Sequence, residues 1–87
     1  MYEEQVCVGG RFGLNGYRSA LVATTAARYA SDIICSSQGR TVNAKDVMSV
    51  MTLRAQSGTV AHVMATGPDE KRAVQALVNV LSAADPT

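Results

Sequence analysis

The sequence predicts a small α+β domain, a two-layer open-faced sandwich in which a four-stranded antiparallel sheet carries three helices on one face. Three observations lead to this prediction. The chain of 87 residues has room for one hydrophobic core. Strand-like and helical apolar patterns follow one another in the order β-α-β-β-α-β-α. Two of the strands flank a short glycine-bearing connection that is typical of an antiparallel hairpin. We therefore treat residues 1–87 as a single domain.

The first strand and the first helix are indicated by a change of apolar period. Residues 3–8 alternate well enough for a strand, which Gly9 and Gly10 should end. Residues 16–30 then predict a helix, because apolar side chains recur at helical spacing, and Asn15 is well placed as its N-cap. The apolar positions of this helix are Ala20, Leu21, Ala23, Ala27 and Ala30.

The middle of the chain predicts a hairpin followed by a short helix. Strands over 32–36 and 40–43 flank the Ser37-Gln38-Gly39 connection. Asp46 can cap a helix that runs from Val47 to about Leu53. The hairpin places these two strands side by side in the sheet.

The last third of the chain predicts one more strand and one more helix. The strand runs from Thr59 to Thr66 and ends at a Gly-Pro turn. Pro68 or Asp69 can open the helix, whose apolar residues recur at i, i+3 and i+4. The final residues, 85–87, are expected to form a frayed tail.

Composition and charge exclude several classes of function. Eight Lys and Arg residues against seven Asp and Glu residues leave a net charge of +1 without a basic run, so no direct nucleic-acid binding is expected. No stretch approaches the roughly 20 apolar residues that span a bilayer, and the N-terminus lacks a signal-peptide pattern, so we expect a cytoplasmic protein without a membrane partner. Cys7 and Cys35 lack C-x-x-C spacing and His62 is the single histidine, which predicts no disulfide, no metal site and no cofactor.

Two stretches of the sequence resemble a known family. The run Gly39-Arg40-Thr41-Val42-Asn43-Ala44-Lys45, continued by 47–53, and Gly13-Leu14 before the first helix are similar to HPr, the histidine-containing phosphocarrier of the bacterial sugar phosphotransferase system. The resemblance covers nearly the whole chain. It implies the HPr-like open-faced sandwich as the fold.

The resemblance also identifies the position of the family's phosphoacceptor histidine. The family motif Gly-Leu-His-Ala-Arg-Pro-Ala corresponds here to Gly13-Leu14-Asn15-Gly16-Tyr17-Arg18-Ser19. Asn15 then occupies the acceptor position and Tyr17 the arginine position. An amide nitrogen is not a nucleophile at neutral pH, so we expect no catalytic residue and no phosphoryl relay by this route. Asn15 fits equally well as a plain helix cap. His62 is either a substitute acceptor or a surface histidine.

A second family position lies at the start of the second helix. In HPr of Gram-positive bacteria, and in the paralogue Crh that also lacks the histidine, a serine there is phosphorylated and the protein then binds a catabolite repressor. Asp46 occupies this position, either as a helix cap or as a weak imitation of phosphoserine. The resemblance thus implies a non-catalytic regulatory protein closest in kind to Crh. Its partners would be phosphotransferase-system enzymes or a transcriptional repressor.

The resemblance implies a protein-binding surface on the first two helices. By spacing alone, Val47, Met48 and Met51 would be core, whereas in the family these positions form an exposed docking patch. The expected binding residues are Asn15, Tyr17, Arg18, Ala20, Thr24, Val47, Met48 and Met51. Arg18 has two interpretations, because with Arg11 it could hold a phosphate or sulfate anion, or it could be an ordinary solvated arginine.

Strand alternation suggests a second surface on the open face of the sheet. If alternate strand residues point toward the helices, the remaining ones place an apolar stripe on the open face. These residues are Cys7, Ile34, Val60, His62 and Met64. Either a homodimer or another partner covers this face, or one strand is shifted by a residue. Three functions therefore remain in view: a non-catalytic adaptor, a phosphocarrier with a different acceptor, and a structural homodimer or complex subunit.

Overall fold

Four strands and three helices follow one another in the predicted order in the computed structural model, which describes residues 1–84. The elements are β1 (Tyr2–Cys7), α1 (Gly16–Ala26), β2 (Asp32–Ser37), β3 (Arg40–Asn43), α2 (Val47–Met51), β4 (Val60–Thr66) and α3 (Glu70–Ser82). The tail expected at 85–87 lies outside the described residues. No helix within the described part of the chain has both the length and the apolar character needed to cross a membrane.

The sheet has the strand order β1-β4-β2-β3, and every neighbouring pair is antiparallel. This confirms the predicted fold class. The pairing places Val6 opposite Ala61 and Cys35 opposite Val63, and all four side chains are buried beneath the helices. The alternation predicted from the sequence is therefore correct, and the alternative of a one-residue shift is wrong.

The core lies between the sheet and α3. Val74, Leu77 and Leu81 recur along one side of α3 and are fully buried, because this helix packs on β1, β2 and β4. The buried Cys35 belongs to the same core, and burial raises the pKa of its thiol to about 11. Cys35 thus behaves as a small apolar side chain.

The first helix ends at Ala26, four residues earlier than its apolar pattern predicts. After Ala27, the backbone N–H groups of Arg28 and Tyr29 bond three residues back, which tightens the last turn. The next two backbone amides do not continue the helix but donate to Asp69. Its carboxylate accepts from the N–H of Ala30 and from that of Ser31, each at 2.9 Å.

Asp69 therefore joins the end of α1 to the start of α3. The hydroxyl of Ser31 donates to the same carboxylate, and the Asp69 N–H donates back to that hydroxyl oxygen at 3.2 Å. These bonds, first the one from the Ser31 hydroxyl and then those from the amides, lower the pKa of Asp69 to about 2. The connection is thus held best when Asp69 is ionised.

The second helix is also shorter than predicted and ends at Met51 rather than near Leu53. The N–H of Leu53 bonds three residues back to Val50 at 3.1 Å, and Arg54 follows in the left-handed region with φ of 49°. Leu53 is still buried. Its apolar signal comes from the core rather than from a further helical turn.

Candidate functional site

Asn15 is the last residue of the loop that joins β1 to α1. The N–H of Leu14 donates to the carbonyl of Ala55 at 2.8 Å, which fixes the end of the loop. Asn15 has extended backbone angles, and its Oδ1 accepts from the backbone N–H of Arg18 at 2.8 Å. Its own carbonyl accepts from Ser19 at 2.9 Å. The prediction of Asn15 as the N-cap of α1 is confirmed.

The side chain of Arg18 lies on the buried side of α1, and only 5% of the residue's surface is exposed. Its Nη1 donates to the carbonyl of Val80 at 2.7 Å and to that of Leu81 at 3.3 Å, in the last turn of α3. Carbonyls at a helix C-terminus lack intrahelical partners and favour a cation. The interpretation of Arg18 as a solvated arginine is therefore wrong, and its side chain adds almost nothing to an exposed binding surface. An anion site formed with Arg11 stays a prediction.

A cleft of about 360 Å³ separates α1 from the end of α3. Tyr17 and Leu21 lie one turn apart on α1 and form one wall, with exposed fractions of 61% and 40%. Val80 and Ala84 lie on the other side. Leu21 is thus not a core residue, although its spacing within the helix suggested one.

The surface between α1 and α2 forms a second, shallower cleft of about 400 Å³. Ala20 and Thr24 are exposed on α1 and face Val47 and Lys45 across it. Lys45 is anchored there, because its Nζ donates to the carbonyl of Tyr29 at 2.8 Å. This arrangement brings three of the predicted binding residues, Ala20, Thr24 and Val47, together around one cleft.

The position of α2 is decided by one buried residue and one cap. Val50 is fully buried and points into the core. Asp46 accepts from the N–H of Met48 at 3.1 Å and of Ser49 at 3.4 Å, which confirms it as the N-cap of α2. The two methionines consequently point outward, Met48 with 69% and Met51 with 42% of its surface exposed. The interpretation of Met48 and Met51 as core residues is wrong.

The open face of the sheet carries the expected apolar residues. Ile34 and Val60 are 38% and 51% exposed, and Cys7 is a free, exposed thiol on this face. Nε2 of His62 lies 3.6 Å from a carboxylate oxygen of Glu3 on the neighbouring strand. His62 therefore lies within β4, on the surface of the sheet, and not at the start of a helix.

A family model described as "PTS HPr component phosphorylation site" matches residues 2–83. The chain belongs to the HPr family. It is 40% identical over 77 residues to the phosphocarrier protein HPr of Xylella fastidiosa, which covers 88% of this chain and 86% of that protein. It is 37% identical over 78 residues to the HPr-like protein Crh of Halalkalibacterium halodurans, covering 90% of this chain and 93% of that protein.

Solved structures of HPr confirm the fold. The chain superposes on HPr-C-His from Thermoanaerobacter tengcongensis with a TM-score of 0.88 and 33% identity, covering 93% of this chain and 91% of that one. A structure of an HPr dimer from the same organism matches with a TM-score of 0.71 and 34% identity, covering 92% of each chain. The names of these relatives describe a phosphocarrier and an HPr-like protein, and neither name describes an enzyme.

Within this HPr-family fold, seven of the eight predicted binding residues, all on or next to α1 and α2, are at least partly accessible. We refer to these seven as the docking surface: Asn15, Tyr17, Ala20, Thr24, Val47, Met48 and Met51. Their role in binding stays a prediction. The α1–α3 cleft, with Leu21 in its wall, was not predicted from the sequence. The only signal for it is the spacing of Tyr17 and Leu21, which lie four residues apart on one side of a helix. Among residues 1–84, no group of three or more His, Cys, Asp or Glu side chains is placed to hold a metal ion.

Proposed function

We propose that this chain is a non-carrier member of the HPr family that regulates or links other proteins in the cytoplasm by binding them through the docking surface. The position of Asn15 is the observation that carries the proposal. The family resemblance assigns the phosphoryl acceptor to this position, at the start of α1. A chain with asparagine there keeps the fold and the surface but lacks the nucleophile of the relay.

The chemistry of Asn15 supports this proposal. A phosphoryl acceptor needs an available lone pair, as the ring nitrogen of a neutral histidine has. The lone pair of an amide nitrogen is delocalised into the carbonyl, and the amide oxygen of Asn15 already accepts the Arg18 N–H at 2.8 Å. Asn15 thus serves the helix, and transfer of phosphate to it is not expected.

The residues around the two family positions support the same conclusion. Tyr17, at the position of the family's arginine, is neutral and 61% exposed, so it brings no positive charge to a phosphoryl group. Asp46, at the position of the regulatory serine, has no hydroxyl to phosphorylate and caps α2. A carboxylate carries about one negative charge against roughly 1.5 to 2 for a phosphate, so any imitation of phosphoserine is weak and permanent.

The exposure of Met48 and Met51 supports docking as the retained activity. Large apolar side chains on a surface usually mark a contact site when they cluster. Methionine also adapts its shape to different partners. The kind of partner follows from the relatives, since a phosphocarrier of the phosphotransferase system meets the enzymes of that system. A transcriptional repressor is the second class that the resemblance to Crh suggests.

The proposal can be tested by phosphorylation of matched variants. The native protein, Asn15→His and the double variant Asn15→His/Tyr17→Arg are incubated with phosphoenolpyruvate and a first enzyme of the phosphotransferase system that labels an authentic HPr. Intact mass then reports the phosphoryl group. We expect labelling of at least the double variant and none of the native protein.

Two controls make the result decisive. Asn15→Gln should stay unlabelled, because glutamine offers the same unreactive amide. Adding Met48→Asp to the double variant should lower its labelling rate if the docking surface is used. Labelling of the native protein would overturn the proposal in favour of a carrier with another acceptor, with His62 the first residue to replace. Absence of labelling in both histidine variants, if both are folded, would overturn retained docking to that enzyme.

A second candidate function, a homodimer formed through the open face of the sheet, is favoured by one observation. Ile34 and Val60 are exposed on a face that is usually polar in an open sandwich. Sedimentation of the native protein at micromolar concentration should then show a dimer, and Val60→Lys should give a monomer. A native monomer under these conditions would eliminate this candidate.

A further inference from the structure

We propose that Met48 and Met51 form an oxidation-sensitive modification site, at which conversion of the thioethers to sulfoxides by a peroxide weakens docking of a protein partner. This inference rests on the proposed function, because it concerns the regulation of the same docking surface. Three observations support it: the two side chains are exposed, they are three residues apart on α2, and α2 is held in place by other residues.

The two methionines are neighbours on one face of α2. Residues three apart on a helix lie side by side, so Met48 and Met51 present one thioether patch. Their exposed fractions of 69% and 42% leave both side chains accessible to a small oxidant. Met64 differs, because it is half-buried in the middle of the sheet, between Glu3 and Ile34. Met1 is 74% exposed but is not part of the docking surface, and it is retained in the leucine variant described below, which controls for its oxidation.

The oxidation step is simple and balanced. A sulfur lone pair attacks one oxygen of hydrogen peroxide, the S–O bond forms and the O–O bond breaks. The sulfur is oxidised by two electrons, and the peroxide is reduced to water. A sulfoxide reductase reverses the change: two thiols are oxidised to a disulfide, and the sulfoxide oxygen leaves as water.

The change converts an apolar patch into a polar one without loosening the fold. A sulfoxide oxygen placed in a dry interface loses its bonds to water, and mutational data put such a loss at roughly five-fold to over a hundred-fold in affinity. The fold does not depend on the two thioethers. α2 is held by the buried Val50 and by Asp46, whose carboxylate also accepts the Ser49 hydroxyl at 3.0 Å.

The experiment uses Asn15→His/Tyr17→Arg in a Cys7→Ser background. The exposed thiol of Cys7 lies on the opposite face of the sheet and would otherwise react with peroxide. The protein is treated with graded hydrogen peroxide, and peptide mass measures oxidation at each methionine. The initial rate of labelling by the first enzyme of the phosphotransferase system measures docking. Circular dichroism checks that the fold persists.

We expect Met48 and Met51 to oxidise before Met64, and the labelling rate to fall about tenfold when both are oxidised. Treatment with methionine sulfoxide reductase should restore the rate. The matched variant Met48→Leu/Met51→Leu keeps an apolar surface without sulfur. Its labelling rate is compared with its own untreated rate, and this ratio should stay near one after peroxide treatment.

The inference would be overturned by an unchanged labelling rate after full oxidation, or by an equal loss in the leucine variant. Oxidation of Met64 at the same rate as the two helix methionines would also overturn it. Absence of labelling before any oxidation is a different result. It would count against the proposed function and the effect on docking together, while the order of oxidation would still decide whether the two helix methionines are modified before Met64.

Discussion

Replacing Asn15 with alanine should destabilise the protein by about 1 kcal/mol, within the range of about 0.5–2 kcal/mol for loss of an N-cap. The change removes Oδ1, which accepts the Arg18 N–H at 2.8 Å in the first turn of α1. Asn15 is half-buried, so water can replace part of the lost bond, and the middle of the range is expected rather than its upper end. For a domain of this size, 1 kcal/mol corresponds to a decrease in Tm of roughly 4–8 °C.

Urea unfolding followed by circular dichroism would measure this change. With a slope of about 1–3 kcal/mol per molar urea, the midpoint should fall by roughly 0.3–1 M. Asn15→Asp keeps an acceptor and adds a negative charge at the positive end of the helix, so it should be at least as stable as the native protein. Thr24→Ala, at an exposed position of the same helix, is the matched control, and it should not destabilise the protein, because the higher helix propensity of alanine adds up to about 0.7 kcal/mol.

The reasoning would be refuted if Asn15→Ala unfolded within about 0.3 kcal/mol of the native protein, below the expected cost of a lost cap. The side chain of Asn15 would then contribute nothing to α1, and its interpretation as a cap rather than a functional group would fail. The result also bears on the phosphorylation test. Histidine is a poorer cap than asparagine, so the stability of Asn15→His must be known before an absence of labelling is assigned to lost docking.

Three further predictions concern the backbone and one carboxylate. Arg54→Gly should stabilise the protein by about 0.5–1 kcal/mol, since φ of 49° is unfavourable for a residue with a Cβ. Arg54→Ala keeps the Cβ, so an equal gain in its free energy of unfolding in urea would contradict this explanation. Gly13→Ala should destabilise the protein strongly, because φ is 64° and the added Cβ would overlap the backbone of residues 55 and 56. Gly16→Ala has open space around its Cβ and should stabilise the protein by about 0.5 kcal/mol. Stabilisation by both substitutions in urea unfolding would contradict the backbone geometry at Gly13. The pKa of Asp69, about 2 in the folded protein and about 3.9 when unfolded, means that its contribution is complete above about pH 5 and is lost progressively as the pH falls toward 2. Urea midpoints measured between pH 5 and pH 2 should fall less steeply for Asp69→Asn, and parallel pH profiles would count against this role.

Much of the fold could be predicted because the signals are local. The alternation in β2 and β4 repeats every two residues, and a residue there has only two faces to choose between. The caps at Asn15 and Asp46 act on amides two or three residues away. Such patterns depend little on the rest of the chain.

The candidate site was less predictable because its side chains depend on distant partners. The exposed positions of Met48 and Met51 could not be separated from core positions by spacing, since a short helix shows too few turns to define its apolar side. Family resemblance, rather than periodicity, placed them on the surface. Leu21 was misplaced for the related reason that α1 packs on two helices and leaves one apolar strip exposed.

By itself the sequence determined the order of the elements, the two faces of the sheet and the residue types at the family's acceptor and regulatory positions. Only the tertiary structure decided the place of Arg18, whose guanidinium reaches carbonyls 62 and 63 residues further along the chain. It also decided the end of α1, because the carboxylate that takes the next amides belongs to Asp69, 38 residues beyond Ser31. A buried cation or a backbone amide without an intrahelical partner needs a hydrogen-bond acceptor, and the folded chain can supply it from any point in the sequence. A local sequence pattern therefore cannot predict which residue it is.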